Sequence, residues 1–132
     1  MKRVATRHVF AVLAGVIAVL GALIVLWPRG IEAQPQLAES SQLRFVLTPT
    51  STKAGTNSFD LRITDRSGNA APGAEVVVEP AMPQMGHALA PITAAPLEPG
   101  HYQVGVDLLM AGQWEITVSL GTERVVIPLL LT

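Results

Sequence analysis

Cysteine is absent from this chain of 132 residues. Its absence excludes a disulfide framework, a thiolate metal site and a lipid anchor attached to an N-terminal cysteine. Clusters of basic side chains are missing from residues 32–132, which carry five basic and ten acidic residues, a net charge of −5. Nucleic acids require clustered lysine and arginine, so we expect no nucleic-acid partner.

Catalytic motifs are also lacking. The sequence contains no serine/histidine/aspartate set in a recognisable context, no glycine-rich phosphate loop and no HExxH pattern. Its acidic residues are scattered along predicted strands without an obvious pair. We therefore expect no enzymatic activity.

A long apolar run, residues 9–27, follows a short basic segment, residues 1–8. As a helix at roughly 1.5 Å per residue, its 19 residues would extend about 28 Å, close to the ~30 Å hydrocarbon thickness of a bilayer. Three basic side chains precede the run and only Arg29 follows it closely, which predicts a single-pass transmembrane helix with a cytoplasmic N-terminus. The alternative is a signal peptide cleaved near Ala33. Both interpretations place the rest of the chain in the periplasm or another extracytoplasmic space, and the first anchors it in the inner (cytoplasmic) membrane.

Residues 28–41 mix polar residues with proline and lack apolar periodicity, which predicts a linker. Residues 42–132 alternate apolar and polar side chains with period two, as strands with one buried face do. About seven strands are predicted, with turn residues between them: 43–48, 57–65, 74–79, 89–95, 102–108, 114–120 and 123–131. Their number and spacing predict an all-β fold, an immunoglobulin-like antiparallel β-sandwich.

Two methionines and a histidine fall within six residues of the predicted sandwich, in the sequence Met82-Pro83-Gln84-Met85-Gly86-His87. The proline fixes its own φ at about −65° and the glycine tolerates a positive φ, so a turn would bring the three side chains together. Thioether sulfur and imidazole nitrogen form a soft donor set that suits Cu(I). Met110 lies in a later turn that we expect at the same end of the sandwich. The candidate metal ligands are Met82, Met85, His87 and Met110.

Packing offers another explanation for the same residues. Methionine commonly fills gaps in protein cores, and a single histidine in a loop is usually solvated. His101 follows a glycine at the start of a strand and is expected at the surface. Trp114 is expected to anchor the core, or alternatively to shield the Met/His loop from solvent.

The loop belongs to an ordered series of short motifs: Ala54-Gly55-Thr56-Asn57, Pro72-Gly73-Ala74, the loop itself, Pro99-Gly100-His101-Tyr102 and Met110-Ala111-Gly112-Gln113-Trp114-Glu115. Together these motifs resemble the YtkA-like domain family over about residues 43–120. FixH-like proteins are similar in layout, with one N-terminal membrane helix and a small extracytoplasmic β-sandwich. The resemblance implies an immunoglobulin-like fold and an association with copper handling or oxidase assembly at the membrane. The positions to which it points are Met82, Met85, His87 and Met110.

Two hypotheses follow for the function. The first is a membrane-anchored extracytoplasmic protein that binds Cu(I) and passes it to a protein partner, in copper transport or in cuproenzyme maturation. The second is a non-metal interaction module, an accessory subunit of a membrane transport or oxidase-assembly complex, whose Met/His loop docks a partner.

Overall fold

The computed structural model of the protein describes residues 11–12, 14–17, 33–71, 73 and 75–132. Met1–Glu32 and Ala33–Thr132 are separate units. The second unit contains ten strands: β1 (Gln36–Glu39), β2 (Leu43–Pro49), β3 (Gly55–Asp65), β4 (Val76–Met82), β5 (His87–Ala88), β6 (Ile92–Thr93), β7 (Ala95–Glu98), β8 (His101–Leu108), β9 (Gly112–Leu120) and β10 (Glu123–Leu131). A single-turn 3₁₀ helix, Pro83–Met85, lies between β4 and β5.

The strands form two antiparallel sheets that pack face to face as a β-sandwich. The first sheet has the order β1-β2-β3-β8-β7, and the second has the order β10-β9-β4-β5, with β6 also pairing with β4. Inner-face residues alternate with outer-face residues along each long strand, as the period-two pattern predicts. The largest fully buried side chains of the core are Trp114, Phe45, Phe59, Leu47, Leu61, Ile63, Leu108, Ile116, Ile127 and Leu131.

The number of strands exceeds the seven predicted from the sequence. Strand β1 lies within residues 28–41, the predicted linker, so the sheet begins at Gln36 rather than at Leu43. The single strand predicted over residues 89–95 is replaced by two-residue β6 and four-residue β7. The break falls at Ala94, because β6 pairs with β4 of the second sheet whereas β7 pairs with β8 of the first, so the chain passes from one sheet to the other here.

Strand β4 continues through Pro80, where the sequence pattern predicts its end. The Pro80 carbonyl accepts a hydrogen bond from Leu89 N at 3.0 Å, so the backbone groups of Pro80 face the irregular β5–β6 edge. The N–H that proline lacks would point toward this edge as well, and the pairing of β4 with β9 is retained. The continuation carries β4 as far as Met82.

The transmembrane helix predicted over residues 9–27 falls mostly outside the described residues. Residues 11–12 and 14–17 of this segment are helical and exposed. Within the part of the chain that the structure describes, no helix combines the length and the apolar character needed to cross a membrane.

Strand β10 forms one edge of the second sheet and is joined to β9 by the two-residue turn Gly121-Thr122. In such a hairpin the residues next to the turn form a hydrogen-bonded pair, so the backbone groups of alternate residues of β10 point away from β9. Pro128 is one of the residues whose backbone groups point away from β9. The N–H that proline lacks would therefore lie on the open edge of the sheet, where it would have no strand partner.

Polar contacts join the turns at one end of the sandwich. Ser41 Oγ donates to Glu123 Oε1 at 3.0 Å, and Arg66 Nε donates to the Ser41 carbonyl at 3.0 Å. Hydrogen bonding from the side chains of Ser40 and Ser41 holds the pKa of the Glu123 carboxyl below its usual value. These contacts connect the β1–β2 turn with the β9–β10 turn.

Gly100 is required by the fold at the turn between β7 and β8. Its φ is 74°, and a Cβ at this position would lie 2.8 Å from the Ile63 carbonyl oxygen and 2.9 Å from Ala70 Cβ. Gly100→Ala should lower the free energy of unfolding by about 1–3 kcal/mol, because both strain and overlap are introduced. Chemical denaturation of residues 33–132, which contain the whole buried core, measures this loss.

Gly105→Ala is the matched control in the neighbouring strand. An added Cβ there would meet no atom within 4 Å, so we expect no loss of stability. Equal denaturation midpoints for the two variants would contradict the predicted requirement for Gly100.

Candidate functional site

The reversal between β4 and β5 takes four residues, Pro83 to Gly86. Pro83 begins the 3₁₀ turn, where its fixed φ is favourable, and Gly86 ends it in the left-handed region with φ 61° and ψ 26°. Gly86 N donates to the Pro83 carbonyl at 3.1 Å and closes the turn. As a result, Met82 and His87 become direct cross-strand partners. Side chains in such a pair lie on the same face of the sheet, with their Cβ atoms about 4.5–5.5 Å apart.

Four side chains form a row across the inner face of the second sheet at this end. Leu129 pairs with Trp114, and Met82 pairs with His87. Ala81 pairs with Glu115, and continuing this register places Met82 beside Trp114. The row therefore reads Leu129, Trp114, Met82 and His87, from one edge of the sheet to the other.

The Trp114 ring contacts the histidine at the end of this row. The ring centroids of His87 and Trp114 are 6.0 Å apart with an interplanar angle of 75°, an edge-to-face arrangement. Trp114 is only 1% exposed, whereas His87 is exposed. The buried indole thus packs against the edge of the accessible imidazole.

Met110 is held next to the same tryptophan. Trp114 Nε1 donates to the Met110 carbonyl at 3.0 Å, and the Met110 side chain is half-buried against the core. Gly112, between them, makes room for a second methionine, since a Cβ at Gly112 would lie 2.9 Å from Met82 Cε. The β8–β9 turn and the β4–β5 reversal therefore meet. We name the end of the sandwich formed by residues 83–86 and 109–111 the Met/His end.

The four candidate ligands differ in their exposure. Met82 is 4% exposed and Met85 is 66% exposed. Met82 occupies an inward position at the end of β4, whereas the sequence pattern placed it in the turn. Core packing is sufficient to explain the burial of Met82. It does not explain Met85 or His87, which are held at the surface by a closed turn.

His101 lies away from the Met/His end. It is paired in register with Arg62, and its Nε2 contacts the Asp60 carboxylate on the outer face of the first sheet. The contact with Asp60 leaves His101 half-buried rather than fully at the surface. Within the described residues, no group of three or more histidine, aspartate or glutamate side chains is placed to hold a metal ion.

Two residues near the Met/His end were not selected from the sequence. Gly112 is needed because of Met82 Cε, a contact between residues thirty positions apart. Asn57 is 3% exposed, and its Nδ2 donates to the Lys53 carbonyl at 3.1 Å and the Gly55 carbonyl at 3.4 Å. Its Oδ1 has no hydrogen-bond partner among the described residues. A polar residue at an inward strand position was the available signal for Asn57.

The fold and the site together define a small β-sandwich domain with thioether and imidazole side chains gathered at one end. A model of the YtkA-like family matches residues 37–119, and the chain belongs to this family. The match covers strands β1 to β8 and nearly all of β9, including the β4–β5 reversal and the β8–β9 turn. Neither the curated proteins nor the solved structures gave a significant match to the chain.

The contact between His87 and Trp114 can be tested by spectroscopy. Trp114 is the only tryptophan in residues 33–132. His87→Ala should change the near-ultraviolet circular dichroism of the Trp114 indole in this domain, because the edge-to-face contact is lost. His101→Ala should leave that signal unchanged, because the His101 ring contacts Asp60 instead. An unchanged signal in His87→Ala would show that the two rings are not in contact in solution.

Proposed function

We propose that this protein is a membrane-anchored extracytoplasmic copper-binding protein that holds Cu(I) at the Met/His end. The supporting observation is the four-residue reversal that pairs Met82 with His87 and presents Met85 and His87 to solvent. The proposed role is copper handling or cuproenzyme maturation, in which the metal is cargo passed to a protein partner.

The chemistry of the donors favours Cu(I) over other common metals. Thioethers are soft ligands that bind Cu(I) and have little affinity for Mg²⁺ or Ca²⁺, and imidazole suits copper as well. These ligands are neutral and cannot form disulfides, so a site made from them tolerates an oxidising compartment. The proposed ligands are Met82, Met85, His87 and Met110.

The exposure of these side chains indicates a division of roles. Met85 and His87 are open to solvent, and a partner protein can reach them without unfolding the domain. Met82 is buried and Met110 half-buried, so they would contribute from the core side. Trp114 excludes water on that side through its packing with Leu129 and its contact with His87.

The membrane anchor is part of the proposal and depends on the sequence alone. Residues 9–27 are apolar throughout and follow the basic segment 1–8. A single pass with the β-sandwich on the extracytoplasmic side of the inner membrane agrees with this distribution of charge.

We also infer that the sandwich is immunoglobulin-like. In that fold, strands A, B, E and D form one sheet and strands G, F and C form the other, with C′ added in variable-type domains. The order β2-β3-β8-β7 agrees with the first sheet, and the order β10-β9-β4-β5 agrees with the second.

Titration with Cu(I) against a chromophoric chelator tests the proposed site. Residues 33–132 should bind one equivalent, and the double variant Met85→Leu/His87→Ala should bind at least about 100-fold more weakly. Loss of two ligands should exceed the roughly 10–100-fold effect typical of groups outside the ligand shell. Equal affinity in the wild-type and double-variant domains would contradict the proposed site.

Two controls separate ligation from packing. His101→Ala removes an imidazole that contacts Asp60 and should leave Cu(I) affinity unchanged. Met82→Leu keeps the buried volume, at a cost below about 1.5 kcal/mol, while removing the sulfur. Weaker binding in a stably folded Met82→Leu domain would assign the buried thioether to the site.

The interaction module is the second candidate, and the 66% exposure of Met85 favours it. Exposed methionine provides an adaptable apolar contact for partner proteins. This function predicts that a membrane partner co-purifies with the full chain after copper chelation, and that less of it co-purifies with the double variant, which alters the docking loop. Loss of that partner on copper chelation alone would favour the copper-binding function instead.

A further inference from the structure

Strand β8 of the first sheet is only partly paired on one side. It has eight residues, and β7 pairs with three of them, residues 101–103. Before β7 the chain lies on the second sheet, where Ala94 N donates to the Val76 carbonyl at 2.9 Å. Residues 104–108 of β8 therefore have β3 on one side and, among the described residues, no strand on the other. We name this side of residues 104–108 the open edge of β8.

The register shows which backbone groups face the open edge. Ile63 N donates to the Gly100 carbonyl at 2.8 Å, so these residues form a hydrogen-bonded pair. Such pairs alternate with non-hydrogen-bonded pairs along an antiparallel ladder, so the even-numbered residues of β8 bond to β3. Gly105 and Asp107 direct their N–H and C=O groups to the open edge. These four groups have no backbone partner within the described part of the chain.

An apolar groove of about 530 Å³ borders the open edge. Leu89 and Ile92, from the segment that joins β5 to β6, lie on one side of it, and Gly105 and Val106 lie on the other. Leu89 and Ile92 are half-buried against the core, and both leave part of their apolar surface to the groove. An apolar side chain placed beside the open edge would therefore leave water.

Asp107 gives the outer face of this edge a negative charge. Its side chain is exposed, and its Oδ1 accepts a hydrogen bond from Thr56 Oγ1 at 2.8 Å. Among the described side chains, no lysine or arginine forms an ion pair with it. A basic side chain directly across the edge would be favourable, as opposite charges in cross-strand pairs are.

A second copy of the domain fits this edge poorly. β7 already covers Gln103, so in an antiparallel pair of two open edges Asp107 lies opposite either Asp107 or Gly105 of the other copy. The two carboxylates are then in directly opposite or diagonal positions, where like charges repel. The charge of the edge favours a different chain with a basic side chain at this position.

We propose that the open edge of β8 binds an extended peptide segment of a partner protein, which joins the first sheet as a short strand antiparallel to β8. Main-chain hydrogen bonds to Gly105 and Asp107 provide affinity, and alternate side chains provide specificity. The side chain opposite Val106 faces the groove and is apolar, whereas the one opposite Asp107 faces outward and is basic. Five residues, about 17 Å of extended chain, cover the edge.

The docked segment would lie beside the Met/His end. Leu89 follows His87 by two residues, and Leu108 directly precedes the β8–β9 turn. Docking at this edge uses none of the four candidate ligands. It therefore applies equally to a partner that receives copper and to a partner of a non-metal interaction module.

A synthetic peptide, acetyl-Val-Lys-Val-Tyr-Val-amide, tests the proposed docking with residues 33–132, which contain the whole buried core. In antiparallel register its lysine lies opposite Asp107 and its tyrosine covers Gly105, which has no side chain of its own. Titration followed by NMR should shift the amide signals of both residues until they saturate. The absence of a saturable shift at these two amides would overturn the proposal.

Methylation of the peptide nitrogens separates strand pairing from other modes of binding. Methyl groups on the lysine and tyrosine nitrogens remove the two donors that face β8, and should weaken binding at least about 10-fold. A methyl group on the central valine nitrogen, whose N–H points away from β8, should leave the affinity unchanged. Equal affinities of the two methylated peptides would contradict pairing with β8.

Two substitutions at one position test the same edge from the side of the domain. Gly105→Pro removes a donor that faces the open edge, where proline is tolerated, and should weaken binding of the unmethylated peptide about fivefold or more. Gly105→Ala keeps the N–H and adds a Cβ that meets no atom within 4 Å, so it should bind as the wild type does. Wild-type affinity in a folded Gly105→Pro domain would rule out the proposed contact.

Charge is tested by Asp107→Asn, which should weaken binding of the same peptide about two- to fivefold, because the cross-strand ion pair is lost. Glu115→Gln makes the same change of charge at an exposed position of β9 and should have no effect. Equal losses in the two variants would show that the peptide responds to overall charge rather than to Asp107.

Sedimentation distinguishes a second copy from a partner peptide. Residues 33–132 should be monomeric without the peptide. A dimer that Gly105→Pro dissociates would assign the open edge to a second copy of the domain, and the proposed partner segment would be wrong.

Discussion

Burial of the Trp114 indole is the constraint on which the rest of the Met/His end depends. A buried N–H must find an acceptor, and the Met110 carbonyl is its partner at 3.0 Å. This hydrogen bond joins the β8–β9 turn to the start of β9. The same ring packs in the row of Leu129 and Met82 and supports His87 at its edge. One side chain thus connects the hydrophobic core to the accessible candidate ligands.

Much of the fold could be predicted because strands with one buried face repeat every two residues. The alternation of Phe59, Leu61 and Ile63 predicts the inner face of β3, and all three are fully buried. The sequence of β1, Gln36–Glu39, carries no comparable signal, because none of its side chains is fully buried and its leucine, Leu37, is 61% exposed. Pro80 predicted the end of β4, but the strand continues to Met82. The N–H that Pro80 lacks would point away from β9, so the pairing of β4 with β9 loses no hydrogen bond there.

The candidate site was predictable to a smaller extent. The Met/His motif predicts a tight reversal, and the structure contains one, closed by the positive φ of Gly86. The inward position of Met82 was not predicted, since it follows from the continuation of β4 past Pro80. The requirement for glycine at position 112 could not be predicted from the sequence either, because it arises from a contact with Met82 Cε on the neighbouring strand. Local patterns therefore locate the turn, and tertiary packing decides which of its side chains stay accessible.

The proline in β10 has a consequence for this domain at high concentration. Open strand edges invite chain-to-chain pairing into aggregates. Pro128 removes a donor from the β10 edge, and Pro96, next to a register shift, interrupts β7 at the edge of the other sheet. The remaining edges are short, with four residues in β1 and two each in β5 and β6. The edges of both sheets therefore offer few backbone groups to a second copy of the sandwich, which opposes edge-to-edge aggregation.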